Sequence, residues 1–255
     1  MLIQRQELFR QVFNYHFKKF IMKRIRKTKF IMLGIVIFSS SLLFNCNEDK
    51  LTQVNPNNIA EDNFWNNESD ARKGIIGAYS PLVSILHYNR FHIFFSDYRD
   101  DTVNPNNVSP RTLGAIFQGD SNWGPSLNLW RSAYQGLFRA NDVIENVPNI
   151  DMDENTKNAI LGEAYFLRAF NHFDLAMNYR NIPLSLSTNF GIDAASTFQS
   201  TQEEAFSQII EDFKQAESLL PESWSGQDKG RVFKASAQAY LGKAYLYQAD
   251  LFTND

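Results

Sequence analysis

Cysteine is nearly absent from this chain of 255 residues: Cys46 stands alone, so no internal disulfide can form and packing must hold the fold together. Histidine is almost as scarce. The four residues His16, His87, His92 and His172 include no pair at i, i+4, the spacing that puts two imidazoles on one helix face to hold a metal. The sequence has no nucleophile elbow and no glycine-rich phosphate loop, and the single thiol leaves no cysteine protease chemistry. With no metal, cofactor or catalytic constellation indicated, the chain does not read as an enzyme. Basic charge is missing from most of its length. Residues 1–45 hold nine Lys/Arg and one acid, Glu7, whereas the rest holds 16 basic and 27 acidic residues, a net of −11. An acidic body of this kind excludes nucleic acid as a partner, because phosphate neutralisation needs a basic face. Alternating strand-type patterning is lacking too.

What is present begins at the N-terminus. From Met22 the chain reads as a basic cluster, Lys23 to Lys29, then an apolar run from Phe30 to Phe44, then Asn45-Cys46. A charged region, a short apolar region and a processing position are the layout of a secretory signal, and the run is too short to span a bilayer, which takes about 20 residues. A cysteine directly after it resembles a lipoprotein signal and makes Cys46 the expected lipidation site, although Phe44 and Asn45 depart from the small residues usual there. We read residues 1–21 as an upstream extension, 22–45 as the signal peptide and 46–66 as a polar, Asn-rich tether.

The remainder predicts helices. One starts near Asn67 or Ser69, and Pro81 should kink or end it. A long segment without period runs from Leu86 to Pro125, and such segments carry function more often than packing. Trp130, Tyr134, Leu137, Asn141 and Ile144 then recur at helical spacing, up to Pro148. Asp151 to Glu154 forms an acidic helix start for a helix to Tyr179, with Gly162, Phe166, Ala169, Phe173 and Ala176 on one face. Thr201-Gln202-Glu203-Glu204 is a capping box for a helix ending at Pro221, and an Ala-rich helix follows from Phe233 to Ala249. Leu161-Gly162-x-x-Tyr165 recurs as Leu241-Gly242-x-x-Tyr245, and Phe213, Ala216 and Pro221 add a further fragment of the tetratricopeptide pattern. The expected fold is all-α, in stacked helical hairpins with one long irregular segment.

Three stretches, in order, carry a resemblance to the SusD/RagB family. They are Trp130-x-x-x-Tyr134 with Arg139-Ala140-Asn141; Gly162-Glu163-Ala164-Tyr165-Phe166-Leu167-Arg168-Ala169 with Phe173-Asp174-Leu175 and Pro183-Leu184; and Gly230-Arg231 ahead of the Leu241–Tyr247 helix. Arg180 departs from the pattern where family members usually have glycine. Family members are longer, so residues 67–255 read as an incomplete SusD-like N-terminal helical domain, its last helix presenting Leu241, Tyr245 and Tyr247 without a following partner. The resemblance implies a surface-exposed, lipid-anchored outer-membrane protein. It would act as lid and capture subunit over a SusC-like TonB-dependent receptor, taking glycans or peptides. On this reading Trp130, Phe166 and Phe173 belong to the core, and Glu163, Arg168 and Asp174 form helix-to-helix pairs.

Within the irregular segment, Tyr88–Trp123 is the candidate N-terminal part of the ligand surface. It combines aromatic faces (Tyr88, Tyr98, Trp123) with groups suited to hydroxyls (Arg90, Asp97, Asn122). Trp123 leads the set, since Gly124-Pro125 after it predicts a turn that leaves the indole near the surface. Asp97, Asp100 and Asp101 could in principle serve glycoside hydrolysis, but clustered loop acids are more often solvated. Two rival readings make different predictions. A periplasmic tetratricopeptide-like adaptor would be cleaved without lipid and show no sugar affinity, and a secreted glycoside hydrolase would turn over a polysaccharide.

Overall fold

The structure, a computed structural model, describes residues 64–103, 111–120, 122–189 and 198–253, together with Met22. Met22 aside, these lie in the second of two units, residues 61–255. The extension, the signal peptide after Met22, Cys46 and most of the tether fall outside the described residues.

Six α-helices build the body: α1 (Glu68–Tyr79), α2 (Arg111–Ala115), α3 (Gly124–Asn146), α4 (Glu154–Tyr179), α5 (Gln202–Leu219) and α6 (Lys234–Thr253). Among the described residues there is no strand, and no helix is long and apolar enough to cross a membrane. The caps follow the chemistry of the sequence. The Asn67 side chain accepts from the Asp70 amide, Asp153 caps α4 through the Thr156 amide, and the Thr201–Glu204 box closes reciprocally. Each long helix packs on the next, α3 on α4, α4 on α5 and α5 on α6, while α1 lies against α3 and α4. This is the stacked-hairpin arrangement.

Helix α4 is buried along most of its length, as befits the helix that α1, α3 and α5 all touch. Phe166 sits among Phe213 (5.4 Å between centroids) and Tyr240 (5.5 Å), and Phe173 meets Phe206 (5.9 Å) edge-on. Fully burying one such ring contributes about 1.5–3 kcal/mol, so much of the aromatic content is spent on the core. Gly162 allows close approach: a Cβ there would lie 3.0 Å from the Leu220 backbone nitrogen. Trp130 is half-buried and meets Tyr179 edge-on at 5.0 Å. On α6, Leu241 packs on the core and Tyr247 meets Phe173 at 5.6 Å, while Tyr245 is exposed. Trp65, expected in the tether, also packs on the core, its ring occupying the space a Cβ on Gly74 would need.

Several buried charged residues are paired across elements. Arg168 of α4 grips Asp212 of α5 with two hydrogen bonds of 2.7 Å and donates to Asn141 Oδ1 of α3 at 3.1 Å. Asn141 in turn donates to the Ser185 carbonyl at 3.0 Å, which fixes the chain leaving α4. Arg139, two residues earlier, donates to the Gly77 carbonyl at 2.9 Å and to Ser80. The Arg-Ala-Asn motif thus joins three elements. Glu163 receives Arg231 at 2.6 and 2.9 Å and the Tyr79 hydroxyl at 2.6 Å, and burial pushes its carboxyl up against the pull of those donors. Its partner ion lies in the α5–α6 loop rather than on a helix, which amends the expected helix-to-helix pairing.

Arg180 closes α4 at φ 64° and ψ −92°. This is near the γ-turn region that is strained for any residue with a Cβ. The departure from glycine therefore falls where glycine suits the backbone best. Arg180 is exposed, so little packing depends on it. Arg180→Gly is expected to raise the unfolding free energy by about 1 kcal/mol, the relieved strain being partly offset by the greater freedom of glycine when unfolded. Urea denaturation reads this directly, and a loss of stability would contradict the assignment.

Candidate ligand-binding site

The irregular segment is held to the scaffold at one carboxylate. Asp174, facing out of α4 near its C-terminal end, receives His87 Nε2 at 3.1 Å and the Tyr88 hydroxyl at 2.9 Å, and His92 Nε2 stands 3.8 Å away. Tyr88 stacks on His92 with centroids 4.1 Å apart. Burial works to raise the Asp174 carboxyl, but the His87 hydrogen bond and the electrostatic pull of the two imidazoles hold it below the usual carboxylate range. Asp174 thus pairs a helix with a loop, where a helix-to-helix pair was expected.

Past this anchor the chain makes two single 3₁₀ turns (His92–Phe94 and Asp97–Arg99) and the short α2, then enters α3. Trp123 is the N-cap of α3, with Pro125 in its first turn. Gly124-Pro125 therefore starts a helix instead of making an exposed turn, and the indole is only 6 % exposed. This corrects the expected surface position. The ring lies 5.3 Å from Phe95 and 6.2 Å from Phe94, and both Gly114 and Gly119 leave room for it: a Cβ on Gly114 would come within 3.0 Å of the ring, and one on Gly119 would overlap it.

Beside this indole is a cavity of about 320 Å³. Its walls come from three places: Phe95 and Arg99 from the irregular segment, Leu113, Phe117 and Asp120 from α2 and the turn after it, and Ser126, Asn178 and Tyr179 from the facing ends of α3 and α4. The Arg99 guanidinium stands 5.0 Å from the Phe95 centroid and 5.2 Å from that of Phe117, within cation–π reach of both. Burial pulls its pKa below the ordinary arginine value. Phe117 is 67 % exposed and adopts φ 56°, a left-handed conformation uncommon for an aromatic residue, which concentrates at ligand sites where it occurs. Tyr179, whose hydroxyl burial pushes up to about 12, donates to the Ser126 carbonyl at 2.6 Å. Two buried donors on the wall, Arg99 Nε and Trp123 Nε1, have no hydrogen-bond partner among the described residues. Two further cavities of about 310 and 330 Å³ flank Trp224. There the indole donates to the Val232 carbonyl at 2.7 Å and Arg231 covers its ring at 4.7 Å, so neither offers a free polar group of that kind.

Of the six residues singled out from sequence, Trp123 alone lines the first cavity. Tyr88 is engaged by Asp174, Tyr98 stacks on Phe94 at 5.2 Å, and Arg90 lies over Phe91 at 5.4 Å. Asp97 and Asn122 are exposed, Asn122 contributing its amide to a turn closed by Asp120 at 3.0 Å. Arg99 and Phe117 were missed, although Phe95-x-x-x-Arg99 is a spacing that brings a cation toward a ring when the backbone turns.

A family profile described as "Starch-binding associating with outer membrane" matches residues 49–246. The chain belongs to the SusD-like family. SusD-like protein P38 of Formosa agariphila is 29% identical over 230 residues, which are 86% of this chain and 44% of that protein. SusD-like protein P2 of the same organism is 28% identical over 237 residues, with 90% and 44% covered. Among solved structures, a laminarin-binding SusD-like protein superposes with a TM-score of 0.64 at 27% identity, over 73% of this chain and 41% of that one. A SusD homologue from Bacteroides thetaiotaomicron superposes at 0.63 with 22% identity, covering 74% and 38%, and shows the shared fold. This SusD-like chain spans less than half the length of the curated relatives it matches.

Proposed function

We propose that this chain contributes the glycan-capturing surface of an outer-membrane nutrient-binding protein, anchored by lipid at Cys46 and working as the lid of a SusC-like TonB-dependent receptor. The observation that carries the binding role is the cavity beside Trp123, in a chain whose family is described by starch binding. Its chemistry suits sugars. Aromatic rings offer faces to the C–H side of a pyranose, and unengaged donors offer hydrogen bonds to hydroxyl or ring oxygens. Nothing in the cavity is arranged for bond cleavage: Asp120 is the single carboxylate among its described walls, and glycoside hydrolysis takes a pair. Binding without turnover is the reading that follows. Arg90, Asp97 and Asn122 belong to the same segment and are exposed, so a longer glycan would extend over them, while Tyr88 and Tyr98 of that segment would act through the loop they pack.

Affinity electrophoresis of the chain against a polysaccharide panel tests this. A retarded band is expected with at least one glycan, and Phe117→Ala should weaken retention roughly three- to tenfold through loss of a stacking face. Trp123→Phe keeps most of the packing and removes the indole donor, so it should weaken retention with the circular dichroism spectrum unchanged. Full retention by both variants would move the site elsewhere. The anchor is tested separately: a fatty-acid analogue fed to expressing cells should label the wild-type chain and not Cys46→Ser, and equal labelling of the two would end the lipoprotein reading.

A further inference from the structure

The positive charge on the cavity wall has no counter-ion among the described residues. Arg99 forms no ion pair with any carboxylate among the described residues; its guanidinium stands over the faces of Phe95 and Phe117. Two other side-chain donors on the wall are engaged, Tyr179 with the Ser126 carbonyl and Asn178 with the Asp174 carbonyl at 2.8 Å. Arg99 Nε and Trp123 Nε1 are both buried and have no partner among the described residues. A partly buried guanidinium with no counter-ion is costly to maintain, and its planar fork matches a carboxylate better than it matches any hydroxyl. Asp120, the one acid on the described wall, is exposed and committed to the turn through the Asn122 amide. The body carries a net charge of −11 beyond residue 45, so no general field draws anions in. Any preference for them must be local to Arg99.

Resting on the glycan-binding reading above, we infer that this cavity selects acidic sugars: the carboxylate of a uronic acid residue seats on Arg99, with the Trp123 indole N–H as a second donor and the Phe117 ring beneath the pyranose. A neutral glycan fills the same space but leaves the guanidinium unneutralised. Charge-assisted hydrogen bonds are roughly twice as strong as neutral ones, so the acid form gains a distinct increment.

The test uses the purified full chain and isothermal titration with oligogalacturonates, oligoglucuronates and oligomannuronates, each beside its carboxyl-reduced neutral counterpart of equal length, and with a sulfated galactan oligosaccharide. At least one oligouronate is expected to bind about tenfold or more tightly than its reduced counterpart and than the sulfated glycan. Arg99→Met keeps an unbranched chain between the rings without the charge, and should bring the acid-to-neutral ratio close to one. Asp120→Asn still accepts from the Asn122 amide and should raise the ratio two- to fivefold. Acid and reduced forms binding equally would overturn the selectivity while leaving the glycan site standing. Tighter binding of the sulfated glycan would overturn the carboxylate assignment. No binding of any sugar, with the circular dichroism spectrum intact, would overturn the glycan-binding reading and this inference with it.

Discussion

Asp212→Ala is expected to lower the unfolding free energy by about 3–5 kcal/mol, a large share of the roughly 5–15 kcal/mol that holds a typical domain folded. The reason lies in what the substitution leaves behind. Asp212 is 1 % exposed and takes both forked donors of Arg168 at 2.7 Å. Without it a buried guanidinium keeps only Asn141 at 3.1 Å and the face of the Tyr165 ring. Asn141 also holds the Ser185 carbonyl, so the disturbance should spread from the α4–α5 contact to the chain after α4. The double variant Arg168→Met, Asp212→Leu removes both ions and should recover most of the loss, because apolar side chains of similar volume replace a buried pair with little net cost. Urea denaturation with an unchanged m-value checks both. A single-variant loss below about 1 kcal/mol would mean the pair is far better hydrated than its burial implies.

The second large effect depends on pH. His172 is fully buried in α4, and its Nε2 accepts the Ser185 amide at 3.1 Å, a role open only to the neutral ring. Burial and the neighbouring Arg168 charge pull its pKa down to about 3, against about 6.5 when unfolded. The unfolded state therefore binds a proton more readily than the folded state. The stabilising contribution is complete above about pH 6.5 and drains away as pH falls toward 3. Between pH 7 and pH 4.5 this one site should remove about 2–3 kcal/mol. Asp174 also loses its contribution in acid, but that loss begins near its unfolded value of about 3.9 and so falls lower. Urea midpoints at the two pH values, compared with those of His172→Gln, isolate the effect. The variant should be less stable at pH 7 yet lose distinctly less on acidification. Parallel losses in both proteins would show that His172 does not titrate as its surroundings require.

The helices could be read from the sequence because each signal is local. Apolar residues recur at helical spacing along α3 and α4, Asp153 and Thr201 supply caps, and Pro148 and Pro221 mark ends. The cavity could not be read this way. Its walls come from three separated stretches, and no period links Arg99 to Phe117 or either to Tyr179. Trp123 was recognised as important but placed facing outward. Its direction is set by Gly114 and Gly119, several residues upstream, and by the fact that Gly124-Pro125 begins a helix. Charged residues on α4 were correctly seen as paired, but the partners of Glu163 and Asp174 lie in loops, where sequence spacing carries no information about distance.

The way the irregular segment is attached bears on how such a protein can change over time. One end is pinned at Asp174 by His87, Tyr88 and His92, and the other runs into α3 through Trp123 and Pro125. With both ends fixed by the scaffold, residues between them can be exchanged or added at little cost, since doubling a loop's length adds only about 0.6 kcal/mol of closure entropy. The scaffold pairs, Arg168 with Asp212 and Glu163 with Arg231, lie outside that stretch and would not register the change. Ligand preference can therefore drift while the helices stay constant: outside Gly114 and Gly119, which make room for the Trp123 ring, mutational scanning should find exposed positions such as Asp100, Phe117 and Asp120 more permissive for folding than the buried positions of α3 and α4, and less permissive for keeping a given ligand.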